Sequence, residues 1–362
     1  MIISWILYIL VAFFVLISYI PRLRNPHWGF RSWGFIRVQT LVAQLILLPL
    51  LLMWGSFRES VHWTFVGLLG LTILYQLYLV LPFTSFYPSK QKFPKKDSYH
   101  RASLKLFTAN VLQDNDRTDE FISIVKRYDP DVVLAMETDR AWEKALDQLE
   151  STYPHQVKVP LDNYYGMHVY SKLSLSDTKT EYRVEPDVPS ITTTVHLDGG
   201  IKLRLYCVHP APPSPTENET SKERDAELML IGKEVREEDL PIVVCGDMND
   251  VVWSRVSRLF KKMTNMIDPR IGRGLFPTFH AGYKLLRFPL DHLFHTSNIY
   301  VDKMERGPYY GSDHFPMYYE MSVQAKTTTD NEPELEEEEE EEIEERIQDG
   351  FESVQNKPAL SS

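Results

Sequence analysis

The stretch Ile242-Val243-Val244-Cys245-Gly246-Asp247-Met248-Asn249 joins a short apolar run to two polar residues. Four apolar residues bounded by a glycine predict a buried β-strand. Asp247 and Asn249 then lie just beyond the end of that strand. Strand ends on one rim of an α/β sheet converge in space, and functional side chains collect there. This stretch therefore predicts a strand and a functional site together.

Similar apolar runs elsewhere predict five more strands, at Leu104–Phe107, Val132–Met136, Met167–Tyr170, Ile191–Val195 and Leu203–Val208. Helical patterns lie between or after some of these runs, at Asp119–Tyr128, Ala141–Leu149 and Ser221–Arg236. Strands that outnumber the intervening helices predict a mixed α/β architecture. Cys207 and Cys245 fall inside predicted strands, where buried free thiols are expected.

Polar residues follow several predicted strands or recur in two later Asp-His pairs. They are Asn110, Glu137, His209, Asp247, Asn249, Asp291 and the pair Asp313-His314. Singly, each is compatible with an ordinary turn, cap or surface residue. Together they supply the carboxylates, amides and histidines that phosphoryl chemistry with a hard cation needs. Mg²⁺ binds through one or two carboxylates plus substrate phosphate, and histidines or carboxylates move the protons.

Six ordered motifs carry a family resemblance: Asn110-Val111, Met136-Glu137, Val208-His209-Pro210, Gly246-Asp247-Met248-Asn249, Leu290-Asp291-His292 and Ser312-Asp313-His314. Their order and approximate spacing resemble the endonuclease/exonuclease/phosphatase superfamily. That superfamily includes DNase I-like nucleases, neutral sphingomyelinases and inositol polyphosphate phosphatases. The resemblance covers residues 103–322 and implies a DNase I-like four-layer sandwich, in which two packed β-sheets are flanked by helices.

The resemblance also implies roles for the motif residues. Glu137 would be the principal ligand of Mg²⁺ or Mn²⁺, with Asn110 holding the metal or the scissile phosphate. Asp247 would orient or deprotonate the attacking water, and Asn249 would contact the phosphate. His209 and His314 would stabilise the pentacovalent phosphorus. Asp291 would support the metal or the leaving group, while Asp313 would orient His314 and contribute to the metal site.

Three apolar runs precede this region, at Ile2–Ile20, Ile36–Trp54 and Trp63–Phe83. Each is long enough to cross a hydrocarbon core of ~30 Å, which takes about 20 helical residues. A signal peptide is disfavoured because Met1–Ser4 has no basic residue and no small-residue cleavage site follows. Aromatic residues near the ends of the runs favour membrane spans over buried core helices. The arrangement resembles a bacterial membrane-bound branch of the superfamily, some of whose members are linked to glycopeptide resistance and lipid-linked phosphate substrates.

The formal charge of −11 is concentrated at the C-terminus. Residues 330–362 contain 14 acidic residues against Arg346 and Lys357, so the rest of the chain is close to neutral. Such a density of like charge predicts a disordered tail. The expected organisation is a membrane anchor at 1–83, a basic proline-containing linker at 84–102, a catalytic domain at 103–325 and an acidic disordered tail at 326–362.

The anchor and the neutral body favour a membrane-anchored phosphoesterase that acts on a phosphoester or pyrophosphate of a lipid-linked substrate. The first alternative is a membrane-tethered nuclease, in which a basic groove would bind nucleic acid. Arg255, Arg258, Lys261 and Lys262 do cluster on one predicted helix. The second alternative is a non-catalytic membrane binding platform, although no metal or phosphate residue of the family pattern is missing.

The basic residues make conflicting predictions about the side of the membrane. Arg22, Arg24, Arg31 and Arg37 lie in or at the edge of the first loop, and lysines fill the linker. The positive-inside rule then places the first loop and the catalytic domain in the cytoplasm. The related membrane-bound branch, if its substrate is an envelope lipid, favours the outer side. A multi-pass protein of the plasma membrane is expected in both cases, with a slight preference for a cytoplasmic catalytic domain.

Overall fold

The structure is a computed structural model that describes residues 2–54, 59–89, 91, 101–325 and 335–357. The basic cluster of the predicted linker, Lys90, Lys92, Lys95 and Lys96, lies outside the described residues. So do residues 326–334 and 358–362 of the predicted acidic tail.

Two β-sheets form the centre of the region after the linker. The first has the strand order β10-β11-β1-β2-β4-β3, with β1 at Arg101–Asn110, β2 at Val132–Met136, β3 at His155–Val159, β4 at Met167–Ser171, β10 at Ile299–Arg306 and β11 at Met317–Gln324. The second has the order β5-β6-β7-β8-β9, with β5 at Leu175–Glu181, β6 at Ser190–His196, β7 at Lys202–Cys207, β8 at Ile242–Asp247 and β9 at Asp291–His295. Apolar side chains from both sheets form one buried core between them.

Helices cover the outer face of each sheet. Helices α5 (Thr118–Tyr128) and α6 (Arg140–Leu146) pack on the first sheet through a core that includes Phe121 and Trp142. Helices α7 (Lys222–Glu237) and α8 (Arg255–Thr264) pack on the second. The result is the predicted four-layer sandwich. Both cysteines are free and buried, as expected.

The predicted strands and helices are confirmed, but strands β3, β5, β9, β10 and β11 were not predicted. Strands β3 and β5 lie at the edge of a sheet, and the residues of β5 alternate little in burial because most are exposed. An edge strand that is exposed on its flank does not need a continuous apolar run. The hydrophobic pattern therefore carries little signal for these two strands.

Three long helices at the N-terminus are apolar enough to cross a membrane: α1 (Ile2–Tyr19), α3 (Arg37–Trp54) and α4 (Ser60–Val80). They pack together through a shared apolar cluster. Ser4 Oγ donates to the carbonyl of Trp54 (3.1 Å), which brings the start of α1 to the end of α3. The other end of the helical bundle therefore contains the end of α1, the start of α3 and the end of α4.

The loop between α1 and α3 contacts the sandwich directly and contains the short helix α2 (Trp28–Arg31). Trp253 Nε1 donates to the carbonyl of Gly34 (2.8 Å), and Ser221 N donates to that of Pro26 (2.9 Å). Trp253 and Phe83 belong to one apolar cluster that joins the anchor to the sandwich. The first loop thus lies on the same side of the helical bundle as the sandwich.

The expectation of a disordered acidic tail is wrong for residues 337–355. They form helix α9 (Glu337–Gln355), which packs against α7 and α8. Ile343 and Ile347 lie one helical turn apart and are buried in the core of the second sheet. A Cβ atom at Gly350 would lie 2.3 Å from the Cβ of Ala226, so this glycine permits the close approach of α9 and α7.

Basic residues of the sandwich neutralise the acidic run of α9. Arg255 Nε donates to Glu342 (2.7 Å), Arg346 Nη2 donates to the same carboxylate (2.6 Å), and Lys262 Nζ donates to Glu339 (2.5 Å). Glu336 and Glu339 form a capping box at the first turn of α9. The acidic side chains of this turn also interact favourably with the positive end of the helix dipole. The like charges are tolerated because opposite charges lie on α7, on α8 and within α9 itself.

Glu342→Gln is expected to loosen α9 from the sandwich. Its side chain is 2 % exposed and accepts charge-assisted hydrogen bonds from Arg255 and Arg346, so about 1–3 kcal/mol should be lost. Burial alone raises the pKa of Glu342, but the two arginines outweigh it and lower the pKa to about 2. Docking should therefore be complete at neutral pH and weaken as the pH falls from about 4.5 towards 2.

Hydrogen exchange of the amides in α9 measures this change directly. Glu345→Gln is the matched control, because that side chain is 66 % exposed and its nearest cation, Arg24, is 4.0 Å away. Equal protection of α9 in both variants would contradict a role for Glu342 in docking.

Candidate active site

The polar residues predicted to form a site converge on one rim of the sandwich. Strands β1 and β2 of the first sheet are parallel and end at Asn110 and at the residue before Glu137. Strands β7 and β8 of the second sheet are also parallel and lead to His209 and Asp247. Strand β9 runs antiparallel to β8 and begins opposite it, with Asp291 paired to Asp247.

Asn110 joins the two sheets at this rim. Its Nδ2 donates to Glu137 Oε1 (2.6 Å) and to Asp247 Oδ2 (3.2 Å). Its own carbonyl accepts hydrogen bonds from Tyr310 Oη (2.6 Å) and Ser312 Oγ (2.7 Å). The amide is therefore fixed in orientation between two carboxylates that belong to different sheets.

The backbone takes unusual conformations where these residues leave their strands. Glu137 and Asn249 have positive φ angles of 61° and 51°. Gly246 has φ 139°, and a Cβ atom there would lie 1.9 Å from the carbonyl oxygen of Val208. Only glycine permits this approach, which brings the segment before Asp247 against the segment before His209. Positive φ at residues other than glycine is uncommon and concentrates at functional sites.

His314 lies between two carboxylates. Its Nδ1 is 2.8 Å from Asp291 Oδ2, and its Nε2 is 3.3 Å from Asp247 Oδ2. Burial opposes a charged imidazole, but the two carboxylates outweigh it and raise the pKa of His314 to about 10. The ring is therefore protonated at neutral pH and can donate a proton or neutralise a phosphoryl oxygen.

The prediction that Asp313 orients the ring of His314 is wrong, because Asp291 does so. Asp291 begins β9 in register with Asp247, so the two carboxylates flank the same ring. Asp313 instead accepts from Ala281 N through its carbonyl (2.6 Å). Its buried Oδ1 has no hydrogen-bond partner among the described residues.

His209 completes the opposite side of the site. Its Nε2 is 3.9 Å from Glu137 Oε1 and 4.0 Å from Asp247 Oδ2, and its side chain is buried. Burial lowers the pKa of His209, so the imidazole is neutral near pH 7. Asn249 lies beside it, with Nδ2 donating to the carbonyl of Pro210 (3.0 Å) and its carbonyl accepting from Arg224 Nη1 (2.7 Å).

Buried carboxylate oxygens without partners fit a hard cation. Glu137 Oε2, Asp291 Oδ1 and Asp313 Oδ1 are all buried and have no hydrogen-bond partner within the described part of the chain. Burial raises the pKa of Glu137 to about 7, despite the hydrogen bond from Asn110. A bound cation would compensate this desolvated carboxylate.

The ligand atoms of Asp247, Asp291 and His314 also lie within 4.8 Å of one another, as in a metal site. The protonated ring of His314 already supplies the positive charge in that group, however, and both of its nitrogens face carboxylates. The unpartnered oxygens of Glu137 and Asp313 are therefore the better candidates for an oxygen-preferring ion.

The site lies in a cleft of about 360 Å³ whose aromatic lining was not predicted. The ring of Tyr165 lies 5.4 Å from that of His209, and the ring of Phe279 lies 4.9 Å from that of His314. A Cβ atom at Gly166 would lie 1.7 Å from the carbonyl oxygen of Thr138. The motif Tyr164-Tyr165-Gly166 lies directly before β4. An aromatic pair next to a glycine beside a predicted strand was therefore the sequence feature that could have indicated this part of the cleft.

Comparison with known proteins identifies the family. The model of the endonuclease/exonuclease/phosphatase family matches residues 107–314, which is more than half of the chain. The chain belongs to this family. Members of the family are divalent-metal-dependent hydrolases of phosphoester bonds, and the chain is therefore a hydrolase of this class. The match begins after the three apolar helices. No curated protein sequence matches the chain.

Solved structures share the fold at low sequence identity. The catalytic domain of human Nocturnin with bound sulfate has a TM-score of 0.51 at 14 % identity, covering 63 % of this chain and 97 % of that chain. A family protein from Bacteroides thetaiotaomicron has a TM-score of 0.51 at 15 % identity, covering 65 % and 100 %. A conserved protein of unknown function from Enterococcus faecalis V583 has a TM-score of 0.50 at 15 % identity, covering 61 % and 100 %.

Asp291→Asn is expected to lower the pKa of His314 and to slow phosphoester hydrolysis by roughly 10²–10⁴-fold, because an amide neither holds the charged ring nor fixes its orientation as a carboxylate does. NMR titration of labelled histidine and turnover of a chromogenic phosphoester measure the two effects. Asp302→Asn is the control, since among the described residues that exposed carboxylate accepts a hydrogen bond from Ser322 Oγ alone (2.7 Å). An unchanged pKa of His314 would disprove the pairing.

Proposed function

We propose that this family member hydrolyses a phosphoester or pyrophosphate of a lipid-linked substrate while residues 1–83 anchor it in the membrane. Residues 103–325 carry the catalytic site in this proposal. One observation carries it: an apolar cleft lies between the anchor and the sandwich and adjoins the active-site cleft.

The apolar cleft has a volume of about 560 Å³ and lies along α3. Gln39, Val42, Ala43 and Ile46 line it from one face of that helix, over about 10 Å of its length at 1.5 Å per residue. The opposite wall is the segment 284–289, and Gln39 Nε2 donates to the carbonyl of Leu285 (2.8 Å). A cleft with one wall on a candidate membrane span suits a hydrocarbon chain that remains partly in the bilayer.

Phe35 connects this cleft to the active site because it lines both cavities. Its ring packs edge-on against Phe288 at 5.6 Å. Lys284, Arg287 and Arg306 lie around the apolar cleft and can bind an anionic headgroup. Leu285 is 85 % exposed and Tyr283 is 60 % exposed, which suits a segment that contacts the membrane interface. A lipid chain in the apolar cleft would thus place its phosphate towards the catalytic residues.

The chemistry follows from the charges at the site. Glu137, with Asn110 and Asp313 beside it, would hold Mg²⁺ or Mn²⁺, and the ion would polarise the scissile phosphate. Asp247 would accept the proton of the attacking water. Protonated His314 would neutralise a phosphoryl oxygen or protonate the leaving group, while Asp291 holds its ring.

Neutral His209 and the side-chain amide of Asn249 would donate hydrogen bonds to the remaining phosphoryl oxygens. Both line the active-site cleft together with His314. The Asn249 amide is held by its hydrogen bond to the carbonyl of Pro210 before the substrate binds, so it would stabilise charge that develops in the transition state without reorganisation.

The basic cluster that could have favoured nucleic acid is largely paired. Arg255 and Lys262 of α8 bind Glu342 and Glu339 of α9, and Lys261 lies 4.0 Å from Asp268. Paired cations contribute little to binding a phosphate backbone. Nuclease activity is therefore an outcome to be measured alongside lipid hydrolysis.

Purified full-length protein in detergent is expected to release phosphate or alcohol from a lipid pyrophosphate or lipid phosphoester in the presence of Mg²⁺ or Mn²⁺. A chelator should abolish the reaction. Glu137→Ala and His314→Ala should each lower turnover by roughly 10²–10⁴-fold, because they remove the metal ligand and the proton donor. Cleavage of plasmid DNA with no lipid turnover would favour the nuclease, and no turnover of any substrate would favour a binding platform.

Val42→Trp tests the apolar cleft within the same assay. The larger ring fills the cleft, so kcat/KM for a long-chain lipid should fall by about tenfold or more, while a short-chain analogue should be unaffected. Leu45→Trp is the control, because Leu45 is 47 % exposed, close to the 51 % of Val42, but lies outside the cleft. An equal loss in both variants would reject the cleft as the chain-binding site.

We further propose that the catalytic domain faces the cytoplasm. The arginines of the first loop lie on the same side of the helical bundle as the sandwich, and Arg24 and Arg31 contact its acidic residues. The positive-inside rule then favours the cytoplasmic side for both. A reporter fused after Ser362, which leaves β11 and α9 intact, should be active only in the cytoplasm, and activity only outside the cell would reject this orientation.

A further inference from the structure

A second cavity, of about 390 Å³, lies between the first loop of the anchor, α4 and α8. We call it the arginine cavity, because its lining includes Arg22, Arg31, Arg37, Arg255 and Arg258. The active-site cleft lies elsewhere, and none of its lining residues belongs to the arginine cavity.

Two of these arginines are buried with unsatisfied donors. Arg31 is 9 % exposed, and its Nε and Nη2 atoms have no hydrogen-bond partner among the described residues. Arg37 is 4 % exposed, and its Nε has none either. The nearest carboxylate to Arg31 is Asp225, at 3.7 Å, and it already accepts from Arg224 and Arg346.

The remaining charges leave the cavity positive. Within the described residues, Arg22, Arg37 and Arg258 form no ion pair with a carboxylate. Asp250 is the one acidic residue in the described lining. Its Oδ1 accepts from Val251 N (2.8 Å) and its Oδ2 accepts from Ser254 Oγ (2.6 Å). Asp250 Oδ2 also lies 3.5 Å from Arg224 Nη2, so this single carboxylate is shared and only partly offsets the positive charge of the cavity.

This arrangement costs free energy unless an anion is bound. A buried charge that lacks a partner carries a large desolvation penalty. Burial lowers the pKa of Arg31, and although Asp225 opposes this effect, the nearby Arg346 and Arg224 add to it. Guanidinium groups bind phosphate through paired N–H donors, so a phosphate group matches the unsatisfied atoms in charge and in geometry.

The cavity lies where the phosphates of a bilayer are expected. Arg37 is the first residue of α3, and Tyr75 and Tyr78 lie in the last turns of α4. Tyr78 is 71 % exposed and lies at the side of the cavity. Tyrosines at the ends of membrane helices mark the level of the headgroups.

We propose that the arginine cavity binds a phosphate group, supplied by the headgroup of an anionic phospholipid next to the anchor. This lipid is distinct from the substrate, and the proposal does not depend on the proposed function. Part of the wall, Asp250–Arg255, follows Asp247 and Asn249 in the chain, and His292 Nε2 lies 2.8 Å from the carbonyl of Asp250. A bound headgroup would therefore hold the segment that continues from the catalytic rim.

Thermal unfolding of the full-length protein in neutral detergent tests the proposal. The additions are dioctanoyl phosphatidylglycerol, dioctanoyl phosphatidylcholine and inorganic phosphate. Phosphatidylglycerol should raise the midpoint saturably, and phosphatidylcholine should not. The double variant Arg22→Gln/Arg258→Gln should bind phosphatidylglycerol about tenfold more weakly or worse, because charge-assisted hydrogen bonds are lost. Arg140→Gln is the control, since its side chain is 82 % exposed on α6, outside the cavity.

The midpoint of thermal unfolding without added lipid distinguishes a loss of lipid binding from a loss of folding stability. The double variant should unfold at the same temperature as the unaltered chain or higher, because it removes uncompensated positive charge. Equal responses to the two lipids, or an unchanged affinity in the double variant, would overturn the proposal. Stabilisation by inorganic phosphate at the same concentrations, lost in the double variant, would support the phosphate site and identify a soluble anion as its source.

Discussion

The ion pairs of His314 with Asp247 and Asp291 connect the two sheets at the catalytic rim. A protonated ring between two buried carboxylates requires that β8 and β9 keep their register, since a one-residue slip would move Asp291 to the other face. Asn110 extends the same network to Glu137 of the first sheet. The buried core between the sheets holds both halves of the site in place, so packing and chemistry depend on the same contacts.

The N-terminal helices and their first loop line the clefts at the site. The first loop is held to the sandwich by the hydrogen bond of Trp253 to Gly34, and Phe35 next to it lines the active-site cleft. The start of α3 then forms one wall of the apolar cleft. A family catalytic domain without these helices would lack that wall. This dependence is the physical link between the three apolar helices and the proposed lipid-linked substrate.

The acidic helix α9 shows how charge can be misjudged from composition. Its glutamates repel one another in an isolated chain, but Arg255 and Lys262 of α8 face them in the folded protein. Ile343 and Ile347 add apolar contacts to the core of the second sheet. The helix thereby occupies cations that would otherwise be available to a nucleic acid. Of the five arginines that line the arginine cavity, α9 forms an ion pair only with Arg255 within the described residues, so the cavity stays positive.

The sequence by itself determined the three apolar helices, the six strands with continuous apolar runs, the α/β class and the motif residues of the site. These features are local, because each is specified by a run of apolar residues or by a short polar motif next to such a run. Only the tertiary structure decided that Asp291 rather than Asp313 holds His314, since that choice depends on the pairing of β8 with β9. It also decided that α9 is ordered and that Phe35 reaches the active site. Those contacts join residues far apart in the chain, and no local pattern encodes the distance between them.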